Sequence, residues 1–377
     1  MGRVHRITAP IRAVLLCAGL VVAGCAPRGS ITVDPAAAGV GSVQQVLVAT
    51  TRAPDPGSAV LSRDRSYDLG FLDMAVSVPP DRLPGTVRFP EDGAVDPARD
   101  FVTVSAHRLN GIAAFRAAVS ARAATLPPDK REALVFVHGY NTNFAEGLYR
   151  QAQISHDFSS QGVSVNYAWS SAGDFRAYAF DRESALFARD GLEDLLDALA
   201  RSDTRRIVAV AHSMGAQVLM DTLRQMAIRG APEMFGQLSS VVLLAPDLDI
   251  DVFRTQAAAL AGLDIPIYIF VSGQDRALRL SALLRGQSTR LGSMVDASAL
   301  GDLVDQVPIR VIDVTEFDAN DDPLQHNKAV SSPSMIALFD GLGASGLEMF
   351  RDAQNPGGLI ENVQRATQEI SVAVTGR

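Results

Sequence analysis

From Ala133 onward, short and mostly apolar runs alternate with stretches of helical spacing, and few folds absorb that pattern. The runs are Leu134–Val137, Val163–Ala168, Ile207–Ala211, Val241–Leu244, Ile265–Val271 and Ile309–Val314. A strand that reads apolar throughout is covered on both faces, which is the situation of central parallel strands. Between the runs, Leu192, Leu195, Leu196 and Leu199 share one helix face. So do Val218, Leu219, Thr222 and Met226, with a stop expected at Gly230. The alternation predicts an α/β domain: a mostly parallel, doubly wound sheet with helices on both faces.

The region before it reads differently. Residues 44–132 form a strand-rich extension joined to that domain. Strands are expected at Gln44–Thr51, Leu72–Val78 and Phe101–His107, and a helix at Ile112–Ala124. Residues 25–43 are small and polar and read as a flexible tether. Residues 133–345 are the expected core, and 346–377 a helix or loose tail.

The front end reads as an export signal. Arg3, Arg6 and Arg12 precede the apolar run Ala13–Ala23. That run is shorter than the roughly 20 residues a span requires, and it suits a signal-peptide core. It ends in Val22-Ala23-Gly24-Cys25, which resembles a lipoprotein lipobox. The resemblance implies cleavage before Cys25 and lipid attachment there. Ala26 next to it implies the outer membrane, facing the periplasm, as the address. A plain signal cut near Ala23 is the alternative. Loss of residues 1–24 removes three arginines and no acid, moving the net charge from −8 to −11. Cys17 leaves too, so the mature chain has one cysteine and no internal disulfide. The acidic balance, without any dense basic cluster, argues against nucleic acid as a partner.

One segment carries chemistry. The strand ending at Ala211 runs into Ala211-His212-Ser213-Met214-Gly215, and a helix follows at once. A serine on so sharp a strand-to-helix turn needs small residues two places before and after it. Such a turn exposes the hydroxyl and aims the helix N-terminus at it, favouring a developing anion. In this arrangement the acid and then the histidine follow the serine in the chain. Of six histidines (His5, His107, His138, His156, His212 and His326), only His326 lies after Ser213. Asp275, off the end of Ile265–Val271, is placed to orient it. Asp247, at the end of the preceding run, is the competing acid. The one not used would cap the next helix. Asp247, Asp249 and Asp251 have apolar spacers, which suit a helix start rather than a metal site. Two backbone N–H groups are needed to hold an oxyanion, and Met214 and Tyr140 are the candidates. His138 reads as structural and Gly139 as serving a turn. Trp169 either lines a substrate pocket or belongs to the core, and Tyr178 is a candidate for a cap over the site. No cofactor is required.

Several stretches together resemble a family of bacterial α/β-hydrolases catalogued as domain of unknown function 900. They are Leu47–Arg52, Val76–Pro80, Phe136–Asn141, Tyr178–Glu183, Ala211–Gly215, Ala245–Asp247 and Asp275–Leu278. The likeness runs over about residues 44–342. It implies the α/β-hydrolase fold and a serine nucleophile, and it is silent on substrate. The family often has Trp-Pro-Ser and His-Ser-Tyr where this chain has Trp169-Ser170-Ser171 and His326-Asn327-Lys328. The expected activity is hydrolysis of carboxylic esters through an acyl-enzyme on Ser213. The substrate is expected to be a small-molecule or lipid ester. The alternatives are lipase, phospholipase, thioesterase or amidase chemistry on the same triad, or a surface lipoprotein that only binds.

Overall fold

The computed structural model describes residues 28–55, 61–90, 95–286, 288–318 and 322–341. The signal segment, Cys25 and the tail after Ser345 lie outside them.

One sheet of nine strands organises the domain. In chain order the strands are β1 (Ser42–Pro54), β2 (Leu61–Val78), β3 (Val102–Leu109), β4 (Glu132–Val137), β5 (Val163–Ala168), β6 (Arg206–His212), β7 (Leu238–Leu244), β8 (Ile267–Val271) and β9 (Ile309–Asp313). Across the sheet they lie in the order β3-β2-β1-β5-β4-β6-β7-β8-β9. β1 to β3 pair antiparallel, and all the other neighbours, β1 with β5 included, are parallel. This is the α/β-hydrolase fold, and the strand-rich extension is part of its sheet. β2 starts at Leu61, well before the expected Leu72.

Alternation along β4 shows how the core forms. Every residue of the strand is buried. Val135 and Val137 face one layer, with helix α1 (Gly111–Ala124), α4 (Arg189–Ala200) and α5 (Gly215–Arg229). Leu134 and Phe136 face the other, with Ile154 of α2 (Phe144–Asp157) and Met335. Each fully buried aliphatic side chain there contributes about 1.5–3 kcal/mol. Gly230 ends α5 with a left-handed φ of 75°, as its position after the apolar stripe predicts.

The tether is a correction. Residues 28–41 are docked along the domain rather than loose. Thr103 N–H donates to Thr32 O (3.1 Å) and Asp34 N–H to Thr103 O (2.9 Å), so the segment pairs with β3. Small residues here fit beside the sheet; their composition is that of a linker, but their backbone groups are used.

Candidate active site

The site sits at the C-terminal edge of the parallel strands. Ser213 follows β6 directly, with φ of 53°. A non-glycine residue there is strained, and such strain persists only where surrounding structure enforces it. Ser213 N–H donates to Leu244 O (3.0 Å), and its carbonyl accepts from Ala216 N (3.1 Å) and Asp247 N (3.1 Å). Two glycines make room. A Cβ on Gly215 would lie 2.4 Å from His138 O and 2.5 Å from Val137 O. A Cβ on Gly139 would lie 2.8 Å from Ser213 Cβ, so the loop after β4 rests directly against the serine. Met214 is the N-cap of α5, so Ser213 stands beside the positive end of that helix.

His326 and Asp275 meet across the ends of β8 and β9. Their Nδ1 and Oδ2 atoms are 2.6 Å apart. Asp275 is wholly buried, while His326 keeps 13% of its side chain exposed. The other Asp275 oxygen accepts from Leu278 N–H (2.9 Å) and caps α7 (Arg276–Leu284). Asp275, the aspartate that meets His326, is thus itself a helix cap. The His326 loop is fixed by Asp322, whose Oδ2 accepts from His326 N (2.6 Å) and Asn327 N (2.7 Å). Next to the serine, the His212 ring lies 4.7 Å from the His326 ring, and its Nε2 is 3.3 Å from His326 O. Burial lowers the His326 pKa, but the charge and hydrogen bond of Asp275, helped by Asp322 and Asp247, outweigh it and leave it above 6.5. Burial and the His326 charge hold His212 well down, so it stays neutral and donates from Nε2.

Asp247 is engaged elsewhere. Its carboxylate accepts from Ser281 Oγ (2.7 Å) and meets Arg290 Nε (3.0 Å) and Arg285 Nη2 (3.5 Å). Tyr178 closes this cluster, with its hydroxyl 3.4 Å from Asp247 and its ring under the Arg285 guanidinium. Asp249 caps the next helix, α6 (Ile250–Ala258).

Trp169 takes the core alternative, with its side chain 0% exposed. Its indole N–H donates to His138 O (2.7 Å) and its ring stacks on the His138 ring. Burial and the nearby Arg52 charge hold the His138 pKa down to about 3, so that ring is neutral. Trp169 thus supports the loop that carries Tyr140.

That loop has further supports that sequence reasoning missed. Asp181, buried at the start of α3 (Tyr178–Phe187), accepts from Asn141 N (3.0 Å), Ala172 N (2.7 Å) and Ser171 Oγ (2.6 Å). Arg52, buried at the end of β1, donates to Thr142 O (2.9 Å). Asn141 is left-handed, with φ of 55°. Tyr140 donates its hydroxyl to Phe175 O and meets Tyr178 edge-on at 5.2 Å. Arg52 and Asp181 fall within stretches that carry the family likeness, but spacing alone gives no hint that they meet the loop.

A cavity of about 260 Å³, lined by Val40, Val78, Arg82, His156 and others, opens at the opposite end of β1 from the site. Its charges already satisfy one another: Arg82 pairs with Asp157 and His156.

The solved structures that resemble this chain include dienelactone hydrolase from Anabaena variabilis, at 10% identity, covering 74% of this chain and 91% of that one, with a TM-score of 0.36. An esterase from Rhizomucor miehei matches at 11% identity, covering 93% of each chain, with a TM-score of 0.37. Esterase 2 of Thermogutta terrifontis matches at 14% identity, covering 77% of this chain and 96% of that one, with a TM-score of 0.35. Likeness at this level says nothing of substrate. No curated protein matches. Residues 116–341, more than half of the chain, match the family described as alpha/beta hydrolase of unknown function (DUF900). The chain belongs to that family.

Proposed function

We propose that the protein is a serine-dependent carboxylic ester hydrolase. The observation that carries this reading is the Asp275–His326 pair standing at the same edge as a strained serine at a helix N-terminus. His326 takes the Ser213 proton as Oγ attacks the ester carbonyl carbon. The Met214 and Tyr140 N–H groups hold the oxyanion that forms. The carbonyl re-forms, the alcohol leaves with the proton from His326, and an acyl-enzyme remains. Water, deprotonated by His326, then releases the acid and frees Ser213. Asp275 holds the imidazole with Nδ1 protonated and stabilises its charged form. Export, lipid attachment at Cys25 and residence at the outer membrane, facing the periplasm, belong to the same reading.

A panel of nitrophenyl esters of rising chain length, with thioester and amide analogues, tests it. Esters should be cleaved fastest. A preference for the amide or thioester would move the activity to another class. The pH dependence is set by His326, which acts only when neutral. Its raised pKa places the midpoint of the acid limb of kcat/KM above 6.5. Activity is complete above that midpoint and falls about tenfold per pH unit below it. A midpoint well under 6.5 would show that Asp275 does not hold the base.

A further inference from the structure

The docked N-terminal segment has a direction. It enters the domain at the active-site edge. Arg28 donates to Asn141 O (2.9 Å), to Asn141 Oδ1 (3.2 Å) and to Glu146 Oε2 (2.8 Å), next to Tyr140. Asn143 Nδ2 in turn donates to Gly29 O (2.8 Å). The segment then passes Thr103, reaches Ser77 through Ala37 O, and starts β1 at Ser42, the opposite edge of the sheet. Only Ala26 and Pro27 separate Arg28 from Cys25. Three Cα steps span at most about 11 Å. A lipid on Cys25 is therefore confined to the edge that holds Ser213.

The same edge carries an uncovered apolar face. Helix α7 starts at Asp275 and turns Leu278 and Ser281 inward. Its outer face shows Leu280, Leu283 and Leu284, which are 41%, 63% and 64% exposed. Leu324, two residues before His326, and Phe175, against Tyr140, are also exposed. Arg276 and Arg279 stand exposed on the first turn of α7. Their guanidinium groups donate to the Pro323, Asp275 and Gly273 carbonyls. A helix with leucines and arginines on its solvent face has the composition of an interfacial helix. Exposed apolar clusters of this kind mark interaction surfaces.

We propose that the active-site edge rests on the bilayer that holds the Cys25 anchor. The leucines of α7 enter the acyl boundary, and Arg276 and Arg279 meet lipid phosphates. Resting on the ester-hydrolase reading, the substrate class is then a carboxylic ester held in that bilayer and drawn directly into the site.

The test uses full-length protein purified from membranes and reconstituted in vesicles of phosphatidylethanolamine and phosphatidylglycerol. A nitroxide is attached in Leu284→Cys and, as the opposite-edge control, in Asp203→Cys. The Leu284→Cys label should be accessible to oxygen and shielded from a water-soluble nickel chelate, and the Asp203→Cys label the reverse. Equal access of both labels to the chelate would overturn the proposal, as would a mature protein whose mass shows no lipid on Cys25. A second arm compares a short nitrophenyl ester in water with a long-chain nitrophenyl ester in the vesicles. Cys25→Ser should keep turnover of the first and lose at least about tenfold on the second; equal rates on both would overturn delivery from the bilayer. Absence of both activities would sink the ester-hydrolase reading alone, because the label accessibilities still decide the docking.

Discussion

Ser213→Ala should lower kcat on the best ester about 10³-fold or more, while the thermal midpoint of unfolding stays near wild type. A factor of 10³ is about 4 kcal/mol of transition-state stabilisation. The loss is large because the hydroxyl oxygen forms the bond that splits the reaction in two. The fold is spared because the substitution removes one atom. Alanine also keeps the Cβ that Gly139 accommodates. The hydrogen bonds that hold the turn come from the Ser213 backbone, to Leu244, Ala216 and Asp247, and they remain. Removal of the hydroxyl leaves the strained φ in place, so the variant reports chemistry rather than folding. Retention of more than about 1% of wild-type kcat would place the nucleophile elsewhere.

Asp275→Asn and Asp247→Asn should separate into opposite phenotypes. The first removes the charge that faces the His326 Nδ1 proton at 2.6 Å. An amide in that place can donate to Nδ1 and favour the wrong tautomer, so kcat should fall about 10³- to 10⁴-fold. Any residual activity should show its acid limb displaced to lower pH, since the main cause of the raised pKa is gone. Asp247→Asn leaves that pair intact. It leaves the Arg290 guanidinium, with a side chain 1% exposed, without its counter-charge. Breaking a buried pair in this way costs about 3–5 kcal/mol of stability. The expected result is a protein with a lowered unfolding midpoint and, at temperatures where it is folded, kcat within about tenfold of wild type. The opposite ranking in kcat would transfer the acid role to Asp247.

Legibility in the sequence followed the range of the interactions. The turn at Ser213 is specified by five neighbouring residues and needs no distant partner, so its small residues were readable in place. The central strands were readable because burial on both faces leaves an apolar run whatever the partner strand is. His326 is a candidate by chain order alone, and its contact with Asp275 depends on how β8 and β9 pair, which no local pattern states. Asp247 and Asp275 look alike in sequence, each just past a strand. What separates them is long-range: two arginines meet Asp247 from 38 and 43 residues away, and His326 meets Asp275 from 51. The clamp on the Tyr140 loop was out of reach for the same reason. Arg52 acts on Thr142 across 90 residues and Asp181 on Asn141 across 40. Helix α2 carries two local signals: Phe144, Ala145, Leu148, Tyr149 and Ala152 recur at helical spacing, and Asn143 and Glu146 form a reciprocal capping box at its start. The docked segment 28–41 misled because small polar residues suit both a linker and a strand-edge strap, and only the backbone bonds to Thr103 distinguish them.

Labelling with a fluorophosphonate probe measures the activation of Ser213 without any knowledge of the substrate. The probe phosphonylates a serine only where a base and an oxyanion site act on it together. The expected result is one label per chain, on the peptide containing Ser213, abolished in Ser213→Ala and strongly slowed in Asp275→Asn. A folded wild-type protein that takes no label, or a label on another residue that survives Ser213→Ala, would contradict it.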